Sequence, residues 1–165
     1  MAKYVLDKLL DIREKRKSDM AQQVTKARAD LQKAEEACKV AEQALNDFIA
    51  EKPQKQARLY ATVMNQIVKR EQMDKLKAAL ADLERQQQHL ADKLQQAQDN
   101  VAQAHKALEE AQRNLLLASK NVMKLDAHKE TWLEKEAKIE AENVEKEMED
   151  LHPVISPVGE DDDAL

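Results

Sequence analysis

The sequence predicts an all-α protein: a long antiparallel two-helix coiled coil, or α-hairpin, followed by a disordered acidic C-terminal tail. Three observations predict this fold class. The chain is 36% charged and 2% aromatic and has one Gly, a composition typical of long helices rather than of a compact core. Two stretches carry apolar residues at alternating spacings of three and four, which is the period of a coiled coil. These two stretches also complement each other when the chain is folded back on itself.

The first helix is predicted from about residue 3 to residue 64. Its apolar seam has nine members with alternating spacing: Met20, Val24, Ala27, Leu31, Ala34, Cys38, Ala41, Leu45 and Phe48. Leu6 and Leu10 extend this seam backwards. Because proline lacks an amide hydrogen and its ring clashes with the preceding turn, we expect a kink or an interruption near Pro53.

A turn is predicted over about 65–69, where Asn65 tolerates turn geometry, and a second helix over about 70–150. Its seam has fifteen positions: Leu76, Leu80, Leu83, Gln87, Leu90, Leu94, Ala97, Val101, Ala104, Leu108, Ala111, Leu115, Ala118, Val122 and Leu125. Fourteen of these are apolar, and Gln87 is the exception. The two helices and the turn make up one predicted domain, residues 1–152.

The two seams fit together when residues whose numbers sum to 135 are paired. This register places large residues opposite small ones, for example Val24 opposite Ala111 and Leu31 opposite Ala104, which keeps the layers even in volume. A sum of 142 shifts the pairing by one heptad and remains an alternative. A parallel homodimer would place Ala opposite Ala at many layers and pack loosely, so we expect a monomeric hairpin.

The last segment, residues 153–165, is predicted to be a disordered acidic tail. Pro153, Pro157 and Gly159 end helical structure there. Charge is unevenly spread along the chain: residues 1–30 carry eight basic and five acidic groups, whereas residues 126–165 carry four basic and fourteen acidic groups. We therefore expect a basic beginning and an acidic end.

The residues give no sign of catalytic, cofactor or metal chemistry. No glycine-rich phosphate loop or cysteine pair occurs, and the four histidines form no ligand cluster, so a non-enzyme without cofactors is predicted. A net charge of −5 with few aromatic residues argues against nucleic-acid binding. No run of about 18 apolar residues exists to insert in a membrane. The lone Cys38 and the charged N-terminal segment favour a cytoplasmic protein.

Two surfaces are candidates for partner binding. One is an apolar cluster near the turn, made of Leu59, Tyr60, Val63, Met64 and Ile67. The other combines a basic run with an aromatic residue on the second helix: Arg13, Lys15, Arg16, Lys17 and Trp132. Each has a purely structural interpretation as well. The cluster could cap the hairpin, the basic run could be a solvated face, and Trp132 could pack the end of the helix pair.

Two segments carry a resemblance to a known family. The beginning YVLDKLLDIREKRK, with its early basic cluster, and the late stretch TWLEKEAKIEAENVEKEME flank a turn about two-fifths along the chain. In this outline, over roughly residues 3–150, the chain resembles the YscO/FliJ family, the central stalk proteins of type III secretion systems. The resemblance implies an antiparallel coiled coil that links a hexameric secretion ATPase to the export gate at the cytoplasmic face of the apparatus. It also implies promotion of ATPase assembly and, for some members, binding of export chaperones.

Carried onto this chain, the resemblance assigns a role to each candidate surface. It implies that the region from Arg13 to Lys17 and the stretch around Trp132 belong to the ATPase end. It implies that the cluster from Leu59 to Ile67 belongs to the gate end. Two other interpretations of the residues remain open: a prefoldin-like cytoplasmic chaperone or adaptor, and a structural tether that associates with itself.

Overall fold

The computed structural model describes residues 3–152, which form two long helices joined by a turn. Helix α1 spans Asp7–Ala61 and helix α2 spans Arg70–Leu151. The two helices pack together as a hairpin, and the described residues contain no strand, so the predicted fold class is confirmed. The predicted tail, residues 153–165, lies outside the described residues.

Burial follows the heptad pattern along both helices. All nine seam residues of α1 and all fifteen of α2 are buried or half-buried. Val24 and Ala111, which the register of 135 pairs, are exposed by only 5% and 7%. Thr25, the residue next to Val24, is exposed because it lies about 100° around the helix from the seam. The hairpin is therefore held together by a narrow apolar seam.

The described residues divide into two compact units. One contains residues 3–14 and 119–152, and the other spans Lys15–Ala118. In the first unit, Leu10, Val122 and Leu125 form a buried cluster, with Leu6 packed against it.

The ion pairs between α1 and α2 can be compared with the two predicted registers. In the first unit Lys129 Nζ lies 2.9 Å from Asp7 Oδ1, and these residue numbers sum to 136. In the second unit Lys52 pairs with Glu84, which also gives a sum of 136. A third contact between the helices gives a larger sum: His105 Nε2 lies 3.9 Å from Glu35 Oε1, and these residue numbers sum to 140. The side-chain pairs therefore fall between the registers of 135 and 142.

Helix α1 begins at Asp7, four residues after the predicted start. The amide of Asp7 donates to the carbonyl of Tyr4 over 3.2 Å, closing a turn before the helix. Tyr4 itself is buried, with an exposed fraction of 5%. The backbone before Asp7 is therefore not helical, and the Tyr4 side chain is buried there. Asp7 also lies in the first turn, where a carboxylate interacts favourably with the helix dipole.

The connection between the helices begins at Ala61, three residues before the predicted end of the first helix. The amide of Val63 donates to the carbonyl of Tyr60 over 3.1 Å, a tightened turn that satisfies a terminal carbonyl group. Asn65 follows with φ of 57°, in the left-handed region that Asn adopts more readily than most residues.

Pro53 lies inside α1, and the helix is not interrupted there. Proline removes the amide that would bond to the carbonyl of Ile49 four residues earlier. Both Pro53 and Ile49 are exposed. Water can therefore satisfy the freed carbonyl, which explains why helical residues continue on both sides.

A polar layer interrupts the apolar seam near Pro53. The side chain of Lys52 is only 16% exposed, and its ammonium group pairs with Glu84 and donates to Gln87 Oε1 over 2.7 Å. Lys55 extends over the ring of Phe48, with Nζ 4.8 Å from the centroid. A single polar layer in a coiled coil fixes register at some loss of stability. Gln87, the polar exception in the predicted seam, is therefore matched by a lysine.

Replacing Lys52 with Met is expected to raise the free energy of unfolding by about 1 kcal/mol. Met keeps the packing of the lysine stem and removes the desolvated ammonium. The matched variant Lys52→Ala, which loses the stem as well, is expected to lower it by about 1 kcal/mol. Urea denaturation followed by circular dichroism measures both. Equal destabilisation by the two variants would mean that the ion pair, rather than the stem, contributes the stability.

Candidate interaction surfaces

The apolar cluster at the turn is divided in two by the structure. Leu59 and Val63 are half-buried and line a shallow groove together with Leu76 and Ala79 of α2. Leu76 is one of the buried residues of the seam. These two members of the predicted cluster therefore contribute to packing between the helices.

The other three members of the cluster are exposed. Tyr60, Met64 and Ile67 have exposed fractions of 48%, 64% and 105%. Met73 in the first turn of α2 is also exposed, and sequence reasoning missed it because it lies off the seam and apart from the cluster. We call Tyr60, Met64, Ile67 and Met73 the tip surface. Two thioethers, a ring and a branched side chain in one turn region make an adaptable apolar contact.

The basic run is also divided. Arg13 is half-buried, and its guanidinium group donates to the backbone carbonyl of Asn121 over 3.0 Å. Arg13 thus joins α1 to α2 within the first unit. Lys15, Arg16 and Lys17 belong to the second unit and are exposed. Three of the four predicted basic residues are therefore exposed, and the fourth is engaged between the helices.

Trp132 packs against a residue that the sequence reasoning did not single out. Its ring centroid lies 5.2 Å from that of Tyr4, with the two planes tilted by 56°. The hydroxyl of Tyr4 also shares a hydrogen bond of 2.5 Å with Nδ1 of His128. Trp132 remains half-buried, so part of its surface is still open to solvent. We call Tyr4, His128 and Trp132 the aromatic clasp.

An ion pair lies beside the aromatic clasp. Lys129 donates to Asp7 Oδ1, and its ammonium group lies 5.8 Å from the centroid of the Tyr4 ring. The pKa of Lys129 is raised above its ordinary value of 10.5, chiefly by the hydrogen bond to Asp7, while partial burial acts in the opposite direction. A raised lysine pKa stabilises the folded state fully below pH 10.5, and the contribution is lost as pH rises through the folded pKa. The ion pair is therefore intact at neutral pH.

The aromatic clasp is expected to hold the start of α1 on α2. Tyr4→Phe, which removes the hydrogen bond to His128, should destabilise the clasp by about 1 kcal/mol, and Tyr4→Ala by about 3 kcal/mol. Hydrogen exchange resolved by residue measures this, since the hydrogen-bonded amides of residues 10–12 should exchange faster in Tyr4→Ala. The amides around Val24 serve as the internal control. Unchanged exchange at residues 10–12 would mean that the clasp does not secure the start of α1.

Residues 3–152 contain no group of three or more His, Cys, Asp or Glu side chains placed to hold a metal ion. Within the same residues, neither helix has a stretch long and apolar enough to cross a membrane.

Comparison with known proteins finds one family and one similar structure. The family model "Type III secretion protein YscO" matches residues 6–153. A solved structure of CT670 from Chlamydia trachomatis, described as a YscO homologue, superposes with a TM-score of 0.73 at 26% sequence identity. The match covers 92% of this chain and 93% of that one. No curated protein matches the chain.

Proposed function

Because the chain belongs to the YscO family of type III secretion proteins, we propose that it is a non-enzymatic stalk of the secretion apparatus. In this role it links the hexameric secretion ATPase to the export gate and promotes ATPase assembly and protein export. It works at the cytoplasmic face of the apparatus and is a monomer on its own. Export chaperones are a further class of partner.

The stalk role is supported by the packing of the α1 seam against the α2 seam. All the seam residues of α1 and α2 are buried or half-buried, so the hairpin needs no second copy to cover them. Apolar side chains for a partner are then available at the tip surface, where Met64 and Ile67 are the most exposed. Because the seam is covered within the hairpin and the tip surface is exposed, the tip surface is available to bind a partner protein. We assign this contact to the export gate.

Each unit carries groups suited to the ATPase. Lys15, Arg16 and Lys17 are exposed in the second unit and offer three cations to an acidic partner. In the first unit the half-buried Trp132 offers an amphipathic ring. Arg13 acts indirectly, because its guanidinium group is engaged with the carbonyl of Asn121. The three exposed cations of the second unit and Trp132 of the first unit are thus two separate candidates for contact with the ATPase.

Deletion of the gene followed by complementation tests the proposed function. In the source bacterium, loss of the protein should reduce secretion of type III substrates to background, and the full-length chain should restore it. Substrate levels inside the cells serve as the control for expression. Normal secretion in the deletion strain would contradict the proposal.

A further inference from the structure

Helix α2 continues beyond the part that the start of α1 covers. Trp132 packs against Tyr4, and Glu136 is the last residue of α2 that is half-buried. From 137 to 152 every described residue is exposed. We call residues 133–151 the α2 extension.

The α2 extension carries an apolar stripe of its own. Its members are Leu133, Ala137, Ala141, Val144, Met148 and Leu151. At 3.6 residues per turn they fall within an arc of about 80° on one face of the helix. The stripe is well exposed: the fractions are 50% for Leu133, 62% for Met148 and 78% for Leu151. A stripe with this period is typical of a helix that packs against another surface.

Four acidic side chains border this stripe, and the other four lie on the back of the helix with the lysines and the exposed Ile139. The α2 extension has eight acidic and three basic residues. Glu134 and Glu145 lie about 60–80° to one side of the centre of the stripe, and Glu140 and Glu147 lie equally far to the other side. All three lysines lie about 100° or more from the centre. The stripe is therefore bordered by carboxylates on both sides.

The last turn of the α2 extension is acidic, although the helix dipole favours cations at a C-terminus. Its last turn contains Glu149 and Asp150 and no basic residue. Carboxylates at the negative end of a helix dipole are unfavourable by roughly 0.3–1 kcal/mol each. Cations supplied by a partner would offset this repulsion.

From this sorting of apolar and acidic side chains, we infer that the α2 extension is a docking helix. It lies in a groove of a partner protein that has an apolar floor and Lys or Arg residues along both rims. An amphipathic helix in such a groove buries its stripe, and each flanking carboxylate meets a cation. This surface is separate from the tip surface and from the exposed basic residues of the proposed function, and it begins directly after Trp132.

The charge pattern favours this occupant over two others. A second copy pairing through the same stripe would bring flanking carboxylates against each other, which is repulsive in a coiled coil. An anionic lipid surface would repel the same carboxylates, since interfacial helices carry basic rather than acidic flanks. A protein groove with an apolar floor and basic rims would both bury the stripe and pair with the carboxylates that border it.

Site-specific photocrosslinking of the full-length protein in living cells tests this inference. Benzoylphenylalanine replaces Val144, near the centre of the stripe, or Lys146, on the opposite face, as the control. Adducts are identified by peptide mass spectrometry. The expected result is an adduct with one protein from position 144, at a site lined by Lys or Arg, and at least a tenfold lower yield from position 146.

Charge-reversal substitutions are then combined with benzoylphenylalanine at position 144. Glu140→Lys with Glu147→Lys, which changes one border of the stripe, should lower the adduct yield at least tenfold. The matched pair Glu142→Lys with Glu149→Lys makes the same charge change at the same spacing on the back of the helix, and should leave the yield within twofold. Circular dichroism of the purified variants confirms that both pairs keep the hairpin.

Three results would overturn the docking helix. They are the absence of an adduct from position 144, an adduct formed only with a second copy of the chain, and equal loss of yield in the two charge-reversal pairs. A normal export phenotype in the deletion strain would leave this test intact, so the two proposals fail separately.

Discussion

Replacing Leu31 with Asp is expected to lower the free energy of unfolding by about 3 kcal/mol or more. Leu31 is half-buried in the α1 seam between Ala27 and Ala34, on the second unit. The substitution removes a large side chain from layers whose other members are small, and it places an unpaired carboxylate in the seam. Because a two-helix protein has one seam only, the lost layer has no other core to compensate for it.

Urea denaturation of Leu31→Asp, followed by circular dichroism at 222 nm, measures this change. The matched control is Gln22→Asp, which adds the same charge at an exposed position of α1 one turn before Lys26 and should change the free energy by less than about 0.5 kcal/mol. If the two variants unfold at the same urea concentration, the seam is not the main source of stability.

Charging the tip surface is expected to abolish gate binding without unfolding the hairpin. Tyr60 and Met64 lie one turn apart on α1 and its continuation, and both are exposed. Tyr60→Asp with Met64→Asp should weaken binding to the cytoplasmic domain of the export gate at least a hundredfold, about 2.7 kcal/mol. The reason is that a desolvated contact would have to accept two unpaired carboxylates.

Isothermal titration calorimetry with the purified gate domain measures the affinity. The matched control is Val40→Asp, which changes an apolar residue of α1 that is 71% exposed and lies outside the tip surface. It should bind within twofold of the unmodified chain. Full affinity in the tip variant, with an unchanged melting temperature, would show that the gate contacts another surface.

The helical architecture could be predicted because a heptad pattern is a local signal that repeats. Each seam residue, such as Val24 or Ala111, is identified by its distance along the chain from the next. The pairing of large with small residues then relates the two helices without any other information. Turn chemistry also identified Asn65 as a residue that tolerates the turn, and the structure adds that it has a positive φ of 57°.

The aromatic clasp could not be predicted because it depends on contacts between distant residues. Tyr4 lies before α1, off its helical period, and is buried only because Trp132 and His128 approach it. The engagement of Arg13 with Asn121 has the same origin. A basic run in a sequence carries no information on which of its members reaches across to the other helix.

The sequence also could not predict which residues of the turn cluster are packed between the helices and which are exposed. Five apolar residues near a turn look alike in sequence, whereas Leu59 and Val63 pack beside Leu76 and Met64 does not. The sequence left open whether Pro53 kinks or interrupts the first helix, and the structure shows no interruption there. The effect of proline depends on whether the freed carbonyl of Ile49 reaches water, which composition does not reveal.

Stimulation of the secretion ATPase by the purified chain tests the stalk role most directly. The full-length protein is titrated into the ATPase of its own organism at low enzyme concentration, and hydrolysis rate and hexamer formation are measured together. We expect both to rise and the effect to saturate near one chain per hexamer. Unchanged hydrolysis and assembly, with the chain confirmed as a folded monomer by light scattering, would contradict the stalk role.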